Sequence, residues 1–467
     1  MLTINPEIFR EYDIRGLAEE DLKPEVVFLL GRAAGHYFQE HNEAKVLVGR
    51  DNRLSSGRIR DHLVAGLIAA GCQVVDIGEV ISPILYYARE LYKINAAMMI
   101  TASHNPPEFN GFKVALGPAT IHGEEIKKLY HLMEELKREA PMDISPVSAE
   151  QVEARELNED YLRMLTEKIK LGPRKLKVVV DCGNGTASLF AEQFLTGLGC
   201  EVIPLFCESD GRFPHHQPDP VTSANLGALR QTVLTQGADL GVGFDGDGDR
   251  LGVVDNKGEI IWGDRLMILY WRELLPRYPG TTCIVEVKCS QALVEEIKRL
   301  GGKPIFYKTG HSLIKAKMKE VGAIFTGEMS GHMFFADEYY GFDDAFYAGG
   351  RLLRILSHAD QTLNQMLADV PKYYSTAETR VACADRDKFR VVERLRENFQ
   401  QSHEVIAIDG ARVLFPGGWG LVRASNTQPV IVARCEAKTE QELKEITEIL
   451  KEALCAFPEV ENFEWEY

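Results

Sequence analysis

LIAAGCQVVDIG at 67–78, FLTGLGCEVIPLF at 194–206 and EIKRLGGKPIFYKTG at 296–310 are three versions of one phrase. Each closes a helical pattern, stops on glycine and runs on into an apolar strand. After a further helical stretch, each is followed by a strand that ends in a polar loop. Those loops are TASHNP at 101–106, DGDGDR at 245–250 and GEMSGH at 327–332. The matching order of helix, glycine, strand and loop reads as three copies of one α/β module. Apolar runs at 45–48, 73–77, 96–100, 177–180, 201–205, 240–244, 284–287 and 304–307 read as strands of buried mixed or parallel sheets. The helical patterns between them make βα units the economical arrangement. One such helix is expected over 56–70, with Ile59, Leu63 and Leu67 on one face and Gly71 as its stop.

The last part of the chain differs. Strand-like runs at 405–408, 411–415, 419–424 and 430–435 precede a charged helical pattern from 439 to about 454. This predicts a small α+β domain, not a fourth copy of the module. The segment 137–147, with Pro141 and Pro146, reads as a connection near the end of the first module. The chain changes character again at 376–380. The expected division is 1–155, 156–259, 260–371 and 372–467.

Composition limits the function. With 53 Lys and Arg against 69 Asp and Glu, the net charge of 53 − 69 = −16 disfavours nonspecific binding to nucleic acid or acidic lipid. A local cluster of Arg and Lys can still serve an anionic substrate. The nine cysteines are scattered, form no CxxC pair and fit core thiols in a reducing compartment. The first residues carry charge and no apolar leader segment. No apolar run reaches the ~18 residues of a spanning helix. The expectation is a cytoplasmic α/β protein without a membrane segment.

In Phe244-Asp245-Gly246-Asp247-Gly248-Asp249-Arg250, three carboxylates alternate with two glycines after an apolar strand. Clustered carboxylates repel unless a cation or proton compensates. Mg²⁺ favours such hard oxygen ligands and commonly serves phosphate-bearing substrates. An EF-hand is disfavoured, because Arg250 stands where its glycine belongs and Asn256 where its last glutamate belongs. An ordinary solvent turn is the bland alternative.

Ser103, in Thr101-Ala102-Ser103-His104-Asn105-Pro106, sits at the end of a strand, the usual catalytic edge of open α/β sheets. It could be a nucleophile toward a phosphoryl group, with His104 as base; a simple turn closed by Asn105-Pro106 is the alternative. Glu328 and Ser330 suit sugar hydroxyls, whereas Met329 suits packing. Arg423, Ser425, Asn426 and Thr427 follow a strand and suit a phosphate, with Gly417, Gly418 and Gly420 upstream allowing close approach. Arg15, Lys113, Lys288 and His311 gain meaning only if the modules share one site.

Six ordered signatures, EYDIRG at 11–16, TASHNPPEFNGFK at 101–113, DGDGDR at 245–250, KTGHS at 308–312, GEMSGH at 327–332 and RASNTQP at 423–429, closely resemble those of the α-D-phosphohexomutases. The resemblance spans essentially the whole chain and is closest to the bacterial phosphomannomutase/phosphoglucomutase group. It implies three related mixed α/β domains and a C-terminal α+β domain of the TATA-box-binding-protein-like shape, around a central cleft. It implies that Ser103 carries the transferable phosphoryl group. Asp245, Asp247 and Asp249, with the phosphoserine oxygen of Ser103, would hold Mg²⁺. Glu328 and Ser330 would read sugar hydroxyls, and Arg423, Ser425, Asn426 and Thr427 would grip the phosphate that is not transferred. Arg15, Lys113, Arg250, Lys288 and His311 would orient substrate or assist proton transfer, and Tyr12 would line the pocket. Lys113 is favoured for the proton transfer near Ser103. The implied reaction interconverts mannose or glucose 1-phosphate and 6-phosphate through glucose 1,6-bisphosphate or its mannose counterpart. The implied protein is monomeric, and its ligands are phosphorylated hexoses. Met329 disfavours the glucosamine and strict glucose mutases, whose sugar loops differ there. A phosphatase and a noncatalytic sugar-phosphate binder are the remaining classes.

Overall fold

The computed structural model describes residues 2–138, 144, 147–426 and 428–466. It forms two compact units, Met1–Gly263 with Ser330–Met366, and Asp264–Met329 with Leu367–Tyr467. Pro141 and Pro146 of the expected connection lie outside the described residues, as does Thr427.

In the first unit, one sheet uses β1 (Ile14–Leu17), β2 (Lys45–Arg50), β3 (Gln73–Glu79), β4 (Ala96–Ile100), β5 (Phe109–Leu116), β6 (Ala119–Thr120) and β7 (Val152–Ala154). Their order is β1-β5-β4-β2-β3-β7, with β6 on β5. β2 runs parallel to β3 and β4, whereas β5 runs antiparallel to β4, so the sheet is mixed as its sequence predicts. Val46, Leu47 and Val48 are fully buried, which explains the unbroken apolar run of a central strand covered on both faces. The helix Ser56–Ala69 buries Ile59, Leu63 and Leu67, and Gly71, at φ 88°, takes the left-handed turn that ends it.

A second sheet in this unit uses β8 (Lys177–Asp181), β9 (Glu201–Leu205), β10 (Leu240–Phe244), β11 (Leu251–Asp255) and β12 (Ile260–Ile261). Its order is β12-β11-β10-β8-β9. β8 is parallel to both β9 and β10, and β10 folds back antiparallel on β11. That fold-back creates the DGDGDR loop.

In the second unit, β13 (Thr282–Glu286) pairs in parallel with β14 (Lys303–Tyr307). The strand Phe325–Gly327 is tied to β13 by Thr326 Oγ1 donating to the Ile284 carbonyl at 2.9 Å. The run expected at 284–287 begins earlier and stops at Glu286, because the Glu286 side chain takes the Lys288 N–H and turns the chain there. The C-terminal part is an antiparallel sheet ordered Tyr374–Ser375, Val430–Ala437, Gly418–Ala424, Ala411–Phe415 and Val405–Ile406, with Thr379–Ala382 also on the long central strand. Helices Asp385–Gln400 and Glu440–Cys455 cover it through Val391, Leu395, Ile446 and Leu450. Thr439 caps the last helix, its side chain accepting from Glu442 N.

The three modules share a corner that the sequence repeat did not reveal. Each first strand leads to a buried carboxylate: Asp51 after β2, Asp181 at the end of β8 and Glu286 at the end of β13. Each carboxylate accepts the backbone N–H two residues on, from Arg53 at 3.1 Å, Gly183 at 2.9 Å and Lys288 at 3.3 Å. Among the described residues, no helix is long and apolar enough to cross a membrane.

Candidate active site

Ser103 lies just beyond β4 with φ at 50°, a left-handed conformation that costs a non-glycine residue energy. Its N–H is held by Thr101 Oγ1 at 2.8 Å. Its hydroxyl donates to Asp245 Oδ2 at 2.7 Å, and His104 Nδ1 stands 3.1 Å from the same oxygen. Burial and the charges of Arg250 and Arg15 push His104 well below the usual histidine range, so its ring is neutral. A Cβ at Gly246 would lie 2.3 Å from the Ser103 carbonyl oxygen. The serine and metal loops therefore touch through a residue that must be glycine.

Asp245, Asp247 and Asp249 are all fully buried, and one oxygen from each lies within 4.8 Å of the others. Burial and the two neighbouring carboxylates push Asp245 well above its ordinary pKa, the mark of a cluster that needs a cation. Asp247 Oδ1 and Asp249 Oδ1 are buried without a hydrogen-bond donor. This hard-oxygen set with uncommitted lone pairs fits Mg²⁺.

Lys113, on β5, is brought to the same cluster. Its ammonium meets Asp247 Oδ2 at 2.6 Å and Asp249 Oδ2 at 2.5 Å. Burial alone would lower its pKa, but these carboxylates outweigh it and hold the lysine protonated. Burial likewise works against ionised Asp247, and Lys113 overcomes it to keep that carboxyl below the ordinary range. Ser82, at the start of the helix Ser82–Tyr92, donates to Asp247 Oδ2 at 2.5 Å and orients it. Arg15, on β1, donates to Asn105 Oδ1 at 2.8 Å and pairs with Asp13. Arg250 donates from Nε to His332 Nε2 at 3.0 Å, while His332 Nδ1 lies 3.2 Å from Asp343 Oδ2 and 3.5 Å from Asp249 Oδ1. Tyr12 is half-buried just before β1.

The second unit gathers another polar set. Glu286, fully buried, is pushed up by desolvation, and it accepts from Thr309 Oγ1 and from Met329 N at 3.4 Å. Glu328 Oε1 accepts the Gly310 N–H at 2.8 Å, which ties the GEMSGH loop to the loop carrying buried His311. Lys288 reaches Glu378 Oε1 at 2.7 Å. Arg434 donates to the Lys288 carbonyl and, at 2.8 Å, to Sδ of the half-buried Met329. Arg412, stacked 3.7 Å from the Trp419 ring centroid, donates to the carbonyls of Val287 at 2.6 Å and Cys289 at 2.8 Å. Arg423 Nε pairs with Asp409 Oδ2 at 2.9 Å, and Asp409 also takes the Thr309 N–H at 3.2 Å. Ser425, buried next to it, accepts from Gln428 N at 3.1 Å, and Asn426 is half-buried. The chain passes from this unit back into the first between Met329 and Ser330.

Residues not singled out from sequence therefore shape both sets: Asp51, Arg53, Ser82, His332 and Asp343 in the first unit, Glu286, Glu378 and Asp409 in the second. The sequence does carry signals for some of them: an acidic residue near the end of a strand in each module, which would mark Asp51 and Glu286, and the GEMSGH stretch, which contains His332.

Comparison with known proteins covers nearly all of the chain. The phosphoglucomutase/phosphomannomutase family models match in order: alpha/beta/alpha domain I over 6–140, domain II over 159–258, domain III over 262–374 and the C-terminal domain over 378–453. A phosphomannomutase/phosphoglucomutase of Pseudomonas aeruginosa is 44% identical over 455 residues, covering 97% of this chain and 96% of its own. A phosphoglucomutase of Neisseria gonorrhoeae is 40% identical over 461 residues, covering 98% and 99%. The crystal structure of a phosphoglucomutase/phosphomannomutase family protein from Burkholderia thailandensis superposes with a TM-score of 0.89 at 40% identity, covering 97% of this chain and 98% of that one. With a buried serine against three buried aspartates and four family domains in register, this chain belongs to the phosphoglucomutase/phosphomannomutase family of α-D-phosphohexomutases.

Proposed function

We propose that this enzyme interconverts mannose or glucose 1-phosphate and the corresponding 6-phosphate. The reaction is a reversible phosphoryl transfer through phosphorylated Ser103 and a hexose 1,6-bisphosphate. The observation that carries the reading is the Ser103 hydroxyl at 2.7 Å from Asp245, beside buried carboxylate oxygens with no donor of their own. That arrangement makes sense for a serine that carries charge next to a cation, and not for a neutral turn.

Phospho-Ser103 gives its phosphoryl group to the free hydroxyl of a hexose monophosphate. The bisphosphate turns over, and its other phosphate returns to Ser103. Asp245, Asp247 and Asp249 would hold Mg²⁺, which supplies charge neutralisation at the transferring group when bound. Arg250, aligned by His332, adds a fixed positive charge. Lys113, His311 and Arg15 are the candidates for taking the proton of the attacking hydroxyl and giving one to the leaving oxygen, with protonated Lys113 the favoured group near Ser103. Neutral His104 keeps the Ser103 oxygen aligned rather than acting as a strong base. Glu328 and Ser330 would read sugar hydroxyls shared by both orientations. Arg423, Ser425, Asn426 and Thr427 would bind the phosphate that stays, with Lys288, His311, Arg15 and Tyr12 orienting the substrate. We place the enzyme in the cytoplasm as a monomer.

The test is one kinetic panel with mannose 1-phosphate, glucose 1-phosphate and glucosamine 1-phosphate, with Mg²⁺ and catalytic glucose 1,6-bisphosphate. Turnover of the mannose or glucose ester is the expected result. Exclusive turnover of the glucosamine ester would overturn the substrate assignment, and steady release of inorganic phosphate would make the enzyme a phosphatase.

A further inference from the structure

We infer that Arg53, backed by Asn52, is a positioning residue that holds the Ser103 loop against the metal loop in its transferring geometry. The inference rests on the mutase reading above.

A guanidinium has five N–H donors. Arg53 Nε donates to Asp51 Oδ2 at 3.1 Å. Nη1 donates to the carbonyls of Pro106 at 2.5 Å and Phe109 at 3.0 Å. Nη2 donates to the carbonyls of Ser103 at 2.9 Å and Asn105 at 2.6 Å. All five donors are committed inside the protein; three of the acceptors belong to the loop that carries the serine, and a fourth, Phe109, opens the strand β5 that follows it. The side chain is completely buried and lies 5.1 Å from the Phe213 ring centroid. It has nothing left to offer a sugar phosphate, so it acts through Ser103. A left-handed non-glycine residue is strained and persists only where the surroundings over-determine it. The bonds to the carbonyls of Ser103 and Asn105 supply that determination at φ 50°. Lysine, a point charge on a flexible stem, cannot reproduce a planar fork.

The neighbouring residue faces the other way. Asn52 donates its N–H to Thr186 Oγ1 at 3.0 Å, and its Nδ2 reaches the Asn184 carbonyl at 2.7 Å and Ser209 Oγ at 2.9 Å. Thr186 N in turn donates to the Gly246 carbonyl at 3.0 Å. Ser103, Arg53, Asn52, Thr186 and Gly246 thus form a closed ring, since Gly246 lies directly against the Ser103 carbonyl. The two loops are fixed to each other twice, once by contact and once through the Asn52-Arg53 pair.

The experiment compares the full-length enzyme with Arg53→Lys, Arg53→Ala and Asn52→Ala. The readouts are kcat, KM, thermal unfolding, and single-turnover phosphorylation of Ser103 by glucose 1,6-bisphosphate, followed by intact mass. A ~1 Å misplacement of a reacting group costs about 100-fold in rate, so Arg53→Lys is expected to lower kcat by about that factor with KM within about 3-fold. Asn52→Ala, which keeps the backbone N–H to Thr186 but removes the side-chain bonds to Asn184, Ser209 and Thr186 that brace the far side of the ring, is expected to lower kcat about 10-fold. Added guanidinium ion is expected to recover part of the kcat of Arg53→Ala. Wild-type kcat in Arg53→Lys would overturn the inference. So would a loss of kcat no larger than the loss of folded protein. If both Arg53 variants fail to fold, Asn52→Ala decides, and an unchanged rate of Ser103 phosphorylation overturns it. A wild-type enzyme that neither turns over nor phosphorylates Ser103 would remove the mutase reading instead.

Discussion

After β2, Asp51 is followed two residues on by Arg53; at the end of β13, Glu286 is followed two residues on by Lys288. The local device is the same, a buried carboxylate that takes the second N–H and turns the chain. The cations have opposite fates. Arg53 is spent on Asp51 and on the segment that carries Ser103, donor by donor. Lys288 sets its buried ammonium against side-chain carboxylates only, with Glu378 at 2.7 Å and Glu286 at 4.0 Å. In the middle module the position is Gly183, and the carboxylate of Asp181 is met instead by His216 Nε2 at 3.1 Å. The difference teaches that a repeated scaffold does not imply repeated roles. A rigid fork suits holding a catalytic loop, and a flexible point charge suits meeting an anion that arrives in two orientations.

The comparison can be broken from its chemical end first. Ser103→Ala should lower turnover by ~10⁴-fold or more while leaving thermal unfolding unchanged, as expected for loss of a nucleophile. Normal bisphosphate-dependent turnover in that variant would remove the point of an Arg53 devoted to Ser103. Next, chelation with EDTA should suppress turnover by about 10³-fold, with recovery on adding Mg²⁺, since a metal contributes several kcal/mol to transition-state charge stabilisation. Activity that survives exhaustive chelation would leave the buried aspartates without their counterion.

The sharpest comparison is Lys288→Met against Arg53→Lys under one set of conditions. Lys288→Met should raise KM about 10–100-fold and change kcat less, the signature of lost substrate binding, whereas the arginine variant should do the reverse. If both variants show the same split, the two corners do the same job. The smallest effect concerns the partner of Lys288. Burial would raise the Glu378 pKa, but Lys288 outweighs it and depresses the carboxyl to about 2 from an ordinary 4.5. A depressed carboxylate contributes stability that is present above its unfolded pKa and is lost as pH falls toward the folded value. Glu378→Gln should therefore cost about 1–2 kcal/mol at pH 7, less than the shift alone implies because the side chain is 28% exposed. Denaturant titrations should show that deficit shrinking between pH 4.5 and 2. A deficit that does not change with pH would mean the pair is not held by charge.

Much of the fold and of the candidate site is legible in the sequence alone. Lys45–Arg50, Ala96–Ile100 and Leu240–Phe244 announce themselves because buried central strands permit no polar interruption. Ser103 and the three aspartates stand out because carboxylates alternating with glycine have few structural uses. Ser82 cannot be found that way: it lies 165 residues from the Asp247 it supports, and only the fold brings them together. Arg53 is hidden for a different reason. An arginine after a strand reads as a surface charge, and only the folded loop turns all five donors inward. His332 is visible within GEMSGH, yet its neighbours Asp343 and Arg250 come from separate segments.

The contact between Gly246 and the Ser103 carbonyl also bears on the order in which a newly made chain becomes competent. Domains generally fold as units from the N-terminus during synthesis. The first module can complete its sheet with residues up to Ala154, but its serine then lacks the carboxylates and the glycine that complete its surroundings. Those arrive only when β10 and its loop have been made and packed. On the proposed function, a chain that ends before that loop holds a serine without its carboxylate partners. Docking of the second sheet is then a necessary step toward competence, and phosphorylation of Ser103 would report that the two sheets have found each other.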